Sequence, residues 1–228
     1  LSHTYRAAGL EPREVVHPIP LWEIEAGQQV LLRGISGSGK TTLLNILAGL
    51  LRPTTGDVAL GGKWLYALDE AGRDAFRRRT IGYVFQSHYL IPTLTAADNV
   101  GMPLAFGGMA AAERRQRAGL MLERVGLDGH AGHRPAQLSV GQRLRVAIAR
   151  AMVTEPALIL ADEPTAALDS GAAALVIDLL QSTCRERGAT LLVASHDPSL
   201  DGRFDRAVSF SGGSLHPVPN DVNYATVE

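Results

Sequence analysis

The segment Gly34-Ile35-Ser36-Gly37-Ser38-Gly39-Lys40-Thr41 satisfies the spacing G-x-x-x-x-G-K-[ST] at every required position. Glycines at those points let backbone N–H groups curl around phosphate oxygens, at the positive end of the helix that follows. Lys40 then offers a compact cation to bridge the β- and γ-phosphates of a nucleoside triphosphate, and the Thr41 hydroxyl offers a ligand for Mg²⁺. Gly34, Ser36, Gly37, Ser38, Gly39, Lys40, Thr41 and Thr42 are the candidate nucleotide contacts. Lys40 and Lys63 are the only lysines among many arginines, and lysine is the cation suited to a point contact with phosphate. A tight Gly-Ser turn opening a helix is the competing reading, disfavoured because the motif is complete and sits between a strand and a helix.

A phosphate site of this kind needs a carboxylate at the end of a nearby strand, and Ala157-Leu-Ile-Leu-Ala161-Asp162-Glu163 provides it. An apolar strand ending in two acids is costly to bury without partners. Asp162 is the candidate to hold Mg²⁺, directly or through water, and Glu163 the candidate to polarise an attacking water. The alternative is that both cap the turn that follows. These two elements together specify a P-loop NTPase without saying which kind.

Leu138-Ser139-Val140-Gly141-Gln142 stands directly before the helical run Arg-Leu-Arg-Val-Ala-Ile-Ala-Arg-Ala. It resembles the signature motif of ATP-binding cassette proteins. Gln86, in Tyr-Val-Phe-Gln, is similar to the family's Q-loop glutamine, Pro164-Thr-Ala-Ala-Leu-Asp169 to its D-loop, and His196, in Ser-His-Asp, to its switch histidine. Tyr5 matches the aromatic residue that stacks on adenine. The motifs follow the family's order across nearly the whole chain.

The resemblance implies an ATPase that uses Mg²⁺, with Glu163, His196, Gln86 and Lys40 catalytic. It also implies metal contacts from Thr41, Gln86 and Asp162, and nucleotide contacts from Tyr5, Ser139, Gly141, Gln142 and Asp169. Ser139 and Gly141 open a helix, where a hydroxyl, backbone N–H groups and the helix dipole can meet a γ-phosphate. The family's signature lies on a helical lobe, away from the same chain's Lys40. A head-to-tail dimer is therefore implied, each ATP held between one chain's P-loop and the other's signature. Val140 departs from the pattern, since the family usually has glycine there. A β-branched residue disfavours positive φ, so this position has an ordinary φ or carries strain. Ile35 and Leu144 are milder departures, where related sequences often have proline and a polar residue.

These residues need elements to hold them. Residues 28–33 read as a buried strand running into the glycine loop, with a helix from Lys40 to about Leu51. Further strands are predicted over 81–85, 157–161 and 189–194, with helices over 141–153 and 172–187. Asp98 to about Leu127 is helical with a break at Gly107-Gly108. Strands apolar on both faces, alternating with helices, make a mostly parallel sheet covered by helices. The fold class is thus α/β: a P-loop core with an inserted helical subdomain and, as the family implies, an N-terminal antiparallel β portion. One ATPase domain is expected over 1–228: core from 1–87 and 155–216, helical signature lobe over about 88–154, and a loosely held tail over 217–228.

A formal net charge of −1 supplies no field that would call for nucleic acid or an anionic membrane, and no nucleic-acid partner is expected. Cys184 is alone, which rules out an intrachain disulfide and reads as a small semi-buried side chain. No apolar run approaches the roughly 20 residues needed to span a bilayer. The first residues hold no apolar signal core, and the absence of an initiator Met leaves room for a strand ahead of Leu1.

Two kinds of cassette remain: a motor for membrane-embedded partners, or a soluble cassette acting on DNA or ribosomes. A coiled coil, a duplicated cassette or a basic arm would favour the second, and none is present. The run from Phe85 to Val100 is similar to the loop through which transporter cassettes receive a coupling helix, with Leu90, Ile91, Leu94 and Val100 as its apolar candidates; the alternative is that some of them, about half, are internal core of the helical lobe. The stretch His133-Arg-Pro-Ala-Gln-Leu-Ser is similar to stand-alone cassettes of the macrolide-export and lipoprotein-release group, whose relatives in cell division signal across the membrane without moving a substrate. The expected partners are therefore ATP, a second cassette (a homodimer) and an integral membrane permease. The expected location is the cytoplasmic face of the inner or plasma membrane.

Overall fold

The computed structural model describes residues 1–6, 9 and 11–218. In chain order it begins with β1 (His3–Tyr5), β2 (Arg13–Val16), β3 (Gln29–Arg33), α1 (Lys40–Leu47), β4 (Ala59–Leu60) and β5 (Lys63–Trp64). It continues with α2 (Glu70–Thr80), β6 (Ile81–Val84), α3 (Ala96–Phe106), α4 (Ala111–Arg124) and α5 (Val140–Met152). Last come β7 (Leu158–Asp162), α6 (Ser170–Arg187), β8 (Thr190–Ser195), β9 (Arg206–Ser211) and β10 (Ser214–Pro217).

The apolar runs of β3, β7 and β8 lie at the centre of a six-stranded sheet ordered β10-β9-β3-β8-β7-β6. Its strands are parallel except for β10, which returns antiparallel to β9. Both residues joining that pair, Gly212 and Gly213, have positive φ, at 54° and 79°, as a two-residue hairpin turn requires. Successive side chains of a strand point to opposite faces, and the core divides accordingly. Val30 and Leu32 of β3 pack with Leu43, Leu44, Ile46 and Phe210, whereas Leu31 faces Leu144, Ile148, Ile177 and Val193 on the other side. β1 and β2 form a separate antiparallel pair.

α3 packs against α4 and α5, and α5 also lies along β6. That contact is close. A Cβ on Gly82 of β6 would sit 2.6 Å from Ile159 Cδ1 and collide with the Ala151 carbonyl of α5, so only glycine fits. Between α4 and α5 the chain makes two short 3₁₀ turns, Asp128–His130 and Pro135–Gln137.

The expected strands and helices are present, with shifted ends. α1 stops at Leu47, because Gly49 takes a left-handed φ of 68°, and α3 and α4 separate around Gly107 and Gly108. Helix α2 and the hairpins β4–β5 and β9–β10 were not anticipated. Pro217, expected to open the tail, still belongs to β10, and residues 219–228 of that expected tail lie outside the described residues. Among the described residues, no helix is long and apolar enough to cross a membrane.

Candidate active site

The loop from Gly34 to Gly39 leaves β3 under tight constraint. A Cβ on Gly34 would collide with the Phe210 carbonyl and stand 2.9 Å from Ser38 Oγ. At Gly39, with φ of 102°, it would stand 2.9 Å from Val15 Cγ1 and 3.1 Å from Phe210 Cε1. Residues of β2 and β9 thus press on the loop at Gly34 and Gly39, where only glycine fits, and α1 begins directly after it. The Ser38 hydroxyl is buried with no hydrogen-bond partner in the described chain.

Lys40 opens α1 and is only 5% exposed. Its Nζ donates to the Gly34 carbonyl at 2.6 Å and the Ile35 carbonyl at 3.1 Å, and it pairs with Glu163 Oε1 at 3.0 Å. Glu163 follows β7 in the left-handed region, φ 48°, with its N–H donating to the Ala194 carbonyl at 2.8 Å. A non-glycine residue held at such φ by its surroundings is a feature concentrated at functional sites. Its second oxygen, Oε2, accepts from His196 Nδ1 at 2.9 Å and from the His196 N–H at 3.3 Å. The ring of His196 is half-exposed, so its other nitrogen is open to the cleft.

One residue earlier, Asp162 accepts at Oδ2 from the Thr41 hydroxyl at 2.7 Å, while Oδ1 is buried with no partner. Burial pushes the Asp162 carboxyl above its usual range; the Thr41 hydrogen bond and Lys40 oppose this, and the neighbouring Glu163 charge adds to it. A buried carboxylate with an orphan oxygen, hydrogen-bonded through its other oxygen to a hydroxyl, suits a hard divalent cation, and Mg²⁺ fits this donor set.

Above these groups lies a cleft of about 520 Å³, lined by Ser36 through Thr42, Tyr5, Gln86, Glu163 and His196, with Glu11, Arg13 and Val15 along another wall. The Tyr5 hydroxyl lies 3.3 Å from Thr42 Oγ1, and the residue is exposed at the cleft, where an aromatic side chain can receive a flat base. The expected P-loop residues, Tyr5, Gln86, Glu163 and His196 therefore meet in one cleft, Gly34 beneath the loop and Asp162 reached through Thr41.

Ser139, Gly141, Gln142 and Asp169 do not line that cleft. Ser139 caps α5: its hydroxyl accepts from the Gln142 N–H at 3.2 Å, and the Gln142 side-chain oxygen accepts from the Ser139 N–H at 2.8 Å. Asp169 caps α6 by accepting from the Ala172 N–H at 2.9 Å. Val140 begins α5 and is not among the described non-glycine residues with positive φ, so it takes an ordinary helical φ without strain.

Between β6 and α3 a groove of about 360 Å³ is lined by Leu50, Tyr83, Phe85, Tyr89, Met102 and Phe106, with Arg77 and Arg78 at its edge. Part of the expected apolar set is internal core, as the alternative reading has it. Val100 is fully buried in the core, Leu90 packs against that core, Leu94 lines a different hollow, and Ile91 is absent from this groove. Two residues escaped the sequence reading. Arg150 of α5, 8% exposed, donates to the Tyr89 carbonyl at 2.6 Å and the His88 carbonyl at 2.5 Å, where both residues have positive φ. An arginine inside the apolar run Ala147-Ile-Ala-Arg-Ala was the available signal. Arg13, which lines the cleft beside Tyr5 and Glu11, carried none.

Residues 20–166 match the family described as ABC transporter. The chain is 46% identical over 193 residues to the lipoprotein-releasing system ATP-binding protein LolD of Pseudomonas syringae pv. tomato, covering 85% of each. An uncharacterised ABC transporter ATP-binding protein of Mycobacterium tuberculosis is 43% identical over 223 residues, covering 98% of this chain and 89% of that protein. The fold matches the ATP-binding cassette MJ0796, solved as a dimer in a post-hydrolysis state bound to ADP and Pi, with a TM-score of 0.86 and 39% identity over 95% of each chain. The chain belongs to the ABC transporter family, as one of its ATPase cassettes.

Proposed function

We propose, from that membership, that the chain is the ATP-hydrolysing subunit of an ABC transporter, pairing head to tail with a second copy and driving a separate membrane permease from the cytoplasmic side. The observation that carries this is the linked set Lys40–Glu163–His196 beside Thr41–Asp162, facing one cleft. Lys40 is held on two carbonyls and Glu163, a neutralised resting arrangement. Arrival of the β- and γ-phosphates gives Lys40 stronger acceptors, and Glu163 is released to orient the attacking water. His196 keeps hold of Glu163 through Nδ1 and turns its other nitrogen towards the γ-phosphate. Mg²⁺, held by Thr41, Asp162 and Gln86, supplies charge stabilisation to the phosphate oxygens when bound. Tyr5 stacks on adenine.

Ser139, Gly141, Gln142 and Asp169 serve the nucleotide of the second copy, which accounts for their distance from their own cleft. Residues 1–87 and 155–216 act as the nucleotide core, and about 88–154 as the lobe that carries the signature. The apolar groove by Phe85, Tyr89 and Phe106 is where the permease docks. LolD is a lipoprotein-releasing system component by name, and likeness to it supports placement in the macrolide-export and lipoprotein-release group, with cargo selected by the permease.

The test uses Glu163→Gln, which keeps ATP binding and loses turnover by about a hundredfold or more. Recovered from its native membranes with Mg-ATP, it brings down an integral membrane protein. Recovery of ribosomes or DNA alone, with ATP-driven dimerisation intact, would refute the motor reading.

A further inference from the structure

Gln142 is gripped from two sides. Its side-chain oxygen accepts from the Ser139 N–H, a group that can only donate, so the opposite end of the amide is its NH₂. That NH₂ lies 2.9 Å from His130 Nε2. An NH₂ can only donate in turn, so His130 Nε2 is the lone-pair nitrogen and Nδ1 carries the proton. Nδ1 is buried with no partner in the described chain, so Gln142 alone sets the tautomer.

We infer that His130 is a positioning residue: it fixes the Gln142 amide, and through it the Ser139 face of α5, for contact with the nucleotide of the opposing chain. The inference rests on the two-chain reading above. Capping alone leaves the Gln142 side chain one hydrogen bond on a half-exposed surface, while the second bond removes its remaining freedom. The anchor does not belong to α5. His130 closes the 3₁₀ turn Asp128–His130, and its ring lies 5.1 Å from that of His133. The His133 carbonyl accepts from the Ala96 N–H at 2.7 Å and the Ala131 carbonyl from the Ala97 N–H at 3.0 Å. The nucleotide-facing end of α5 is thereby referenced to the first turn of α3, the helix that follows the Gln86 loop. Nothing in this linkage touches the chain's own P-loop, so its loss changes assembly and leaves ATP capture by the single chain intact.

The experiment is a titration of ATP-driven dimerisation in the full chain carrying Glu163→Gln. His130→Phe keeps a ring and removes the acceptor, and it raises the ATP concentration for half-dimerisation about five- to tenfold, the worth of one hydrogen bond. His130→Gln restores an acceptor and returns most of that loss. In a Gln142→Ala background, His130→Phe adds nothing further, because the two residues act as one unit. ATP affinity of a chain kept single by Ser139→Arg is the same with and without His130→Phe. Parent-like dimerisation by His130→Phe, failure of His130→Gln to recover it, or additive effects in the cycle each overturn the inference. If His130→Phe melts well below the parent, His130→Asn, whose amide is too short to reach Gln142, takes its place. If the Glu163→Gln parent itself forms no ATP-dependent dimer, or Ser139→Arg leaves dimerisation untouched, the two-chain reading has failed first and this inference falls with it.

Discussion

Asp162 combines a cost and a use in one side chain. It is 4% exposed, one oxygen has no partner, and burial holds its carboxyl above the ordinary range. A carboxyl raised in the folded state means that folding disfavours the ionised form. The penalty is therefore fully present above the raised value and eases as pH falls through it. Asp162→Asn keeps an acceptor for the Thr41 hydroxyl and removes the charge. Its expected effect is a higher melting temperature for the nucleotide-free chain at neutral pH, a gain that shrinks on acidification, together with Mg-ATP turnover lower by about a hundredfold or more. Melting curves at two pH values and a phosphate-release assay check this; a lower melting temperature at neutral pH would contradict the burial argument. That Lys40, Thr41, Asp162 and Glu163 would come together was legible in short motifs whose chemistry needs those residue types, whereas His196 was legible only through the family resemblance. The Lys40–Glu163 pair, the left-handed Glu163 and the His130–Gln142 contact were not, since each depends on where distant segments meet. Cys184 was read as a small, semi-buried side chain. It is 1% exposed, and burial pushes its thiol up to about 12, so it stays protonated and inert in the folded chain.

At the level of elements, α5 has a task at each end. Its first turn carries the Ser139–Gln142 capping box, and near its last turn Arg150 reaches across to the loop after Gln86. His88 and Tyr89 take φ of 60° and 44°, a conformation unfavourable for side-chain-bearing residues, and Arg150 holds both of their carbonyls. Arg150→Met keeps the apolar stem and leaves two carbonyls without their donor. The expected loss is about 2–3 kcal/mol of stability, read from the denaturant midpoint, with faster proteolytic cleavage at the loop. An unchanged midpoint would mean water replaces the guanidinium at no cost. The elements that sequence patterning missed share a physical cause. α2 buries none of its residues completely and is defined by its ends, with Asp69 as cap and Arg77, Arg78 and Arg79 in the last turn, so no apolar stripe announced it. β9 and the edge strand β10 mix polar with apolar residues, a weaker signal than the unbroken runs of β7 and β8. The Gly212-Gly213 turn between them was the readable sign.

At the level of the whole molecule, the proposed function divides the nucleotide contacts into two half-sites, only one of which lines the P-loop cleft. Lys40, Glu163 and His196 line one cleft, while Ser139, Gly141 and Gln142 stand outside it on α5. The head-to-tail pair proposed above would unite one half from each copy and so make two composite sites. This arithmetic has a consequence that a self-contained chain lacks. A Glu163→Gln chain has a dead P-loop half and a sound signature half, and a Ser139→Ala chain, which loses the signature hydroxyl without the bulk that keeps Ser139→Arg single, has the reverse. In a mixed pair, one composite site joins both defects and the other joins both intact halves. Each variant alone is therefore inactive, and an equal mixture, combined before ATP is added, recovers roughly a quarter of the parent ATPase rate if pairing is random and sites act independently. If each chain used its own signature, no pairing could bring two intact halves together. Mixing would then restore nothing, because every chain in the tube would carry one of the two defects within its single site.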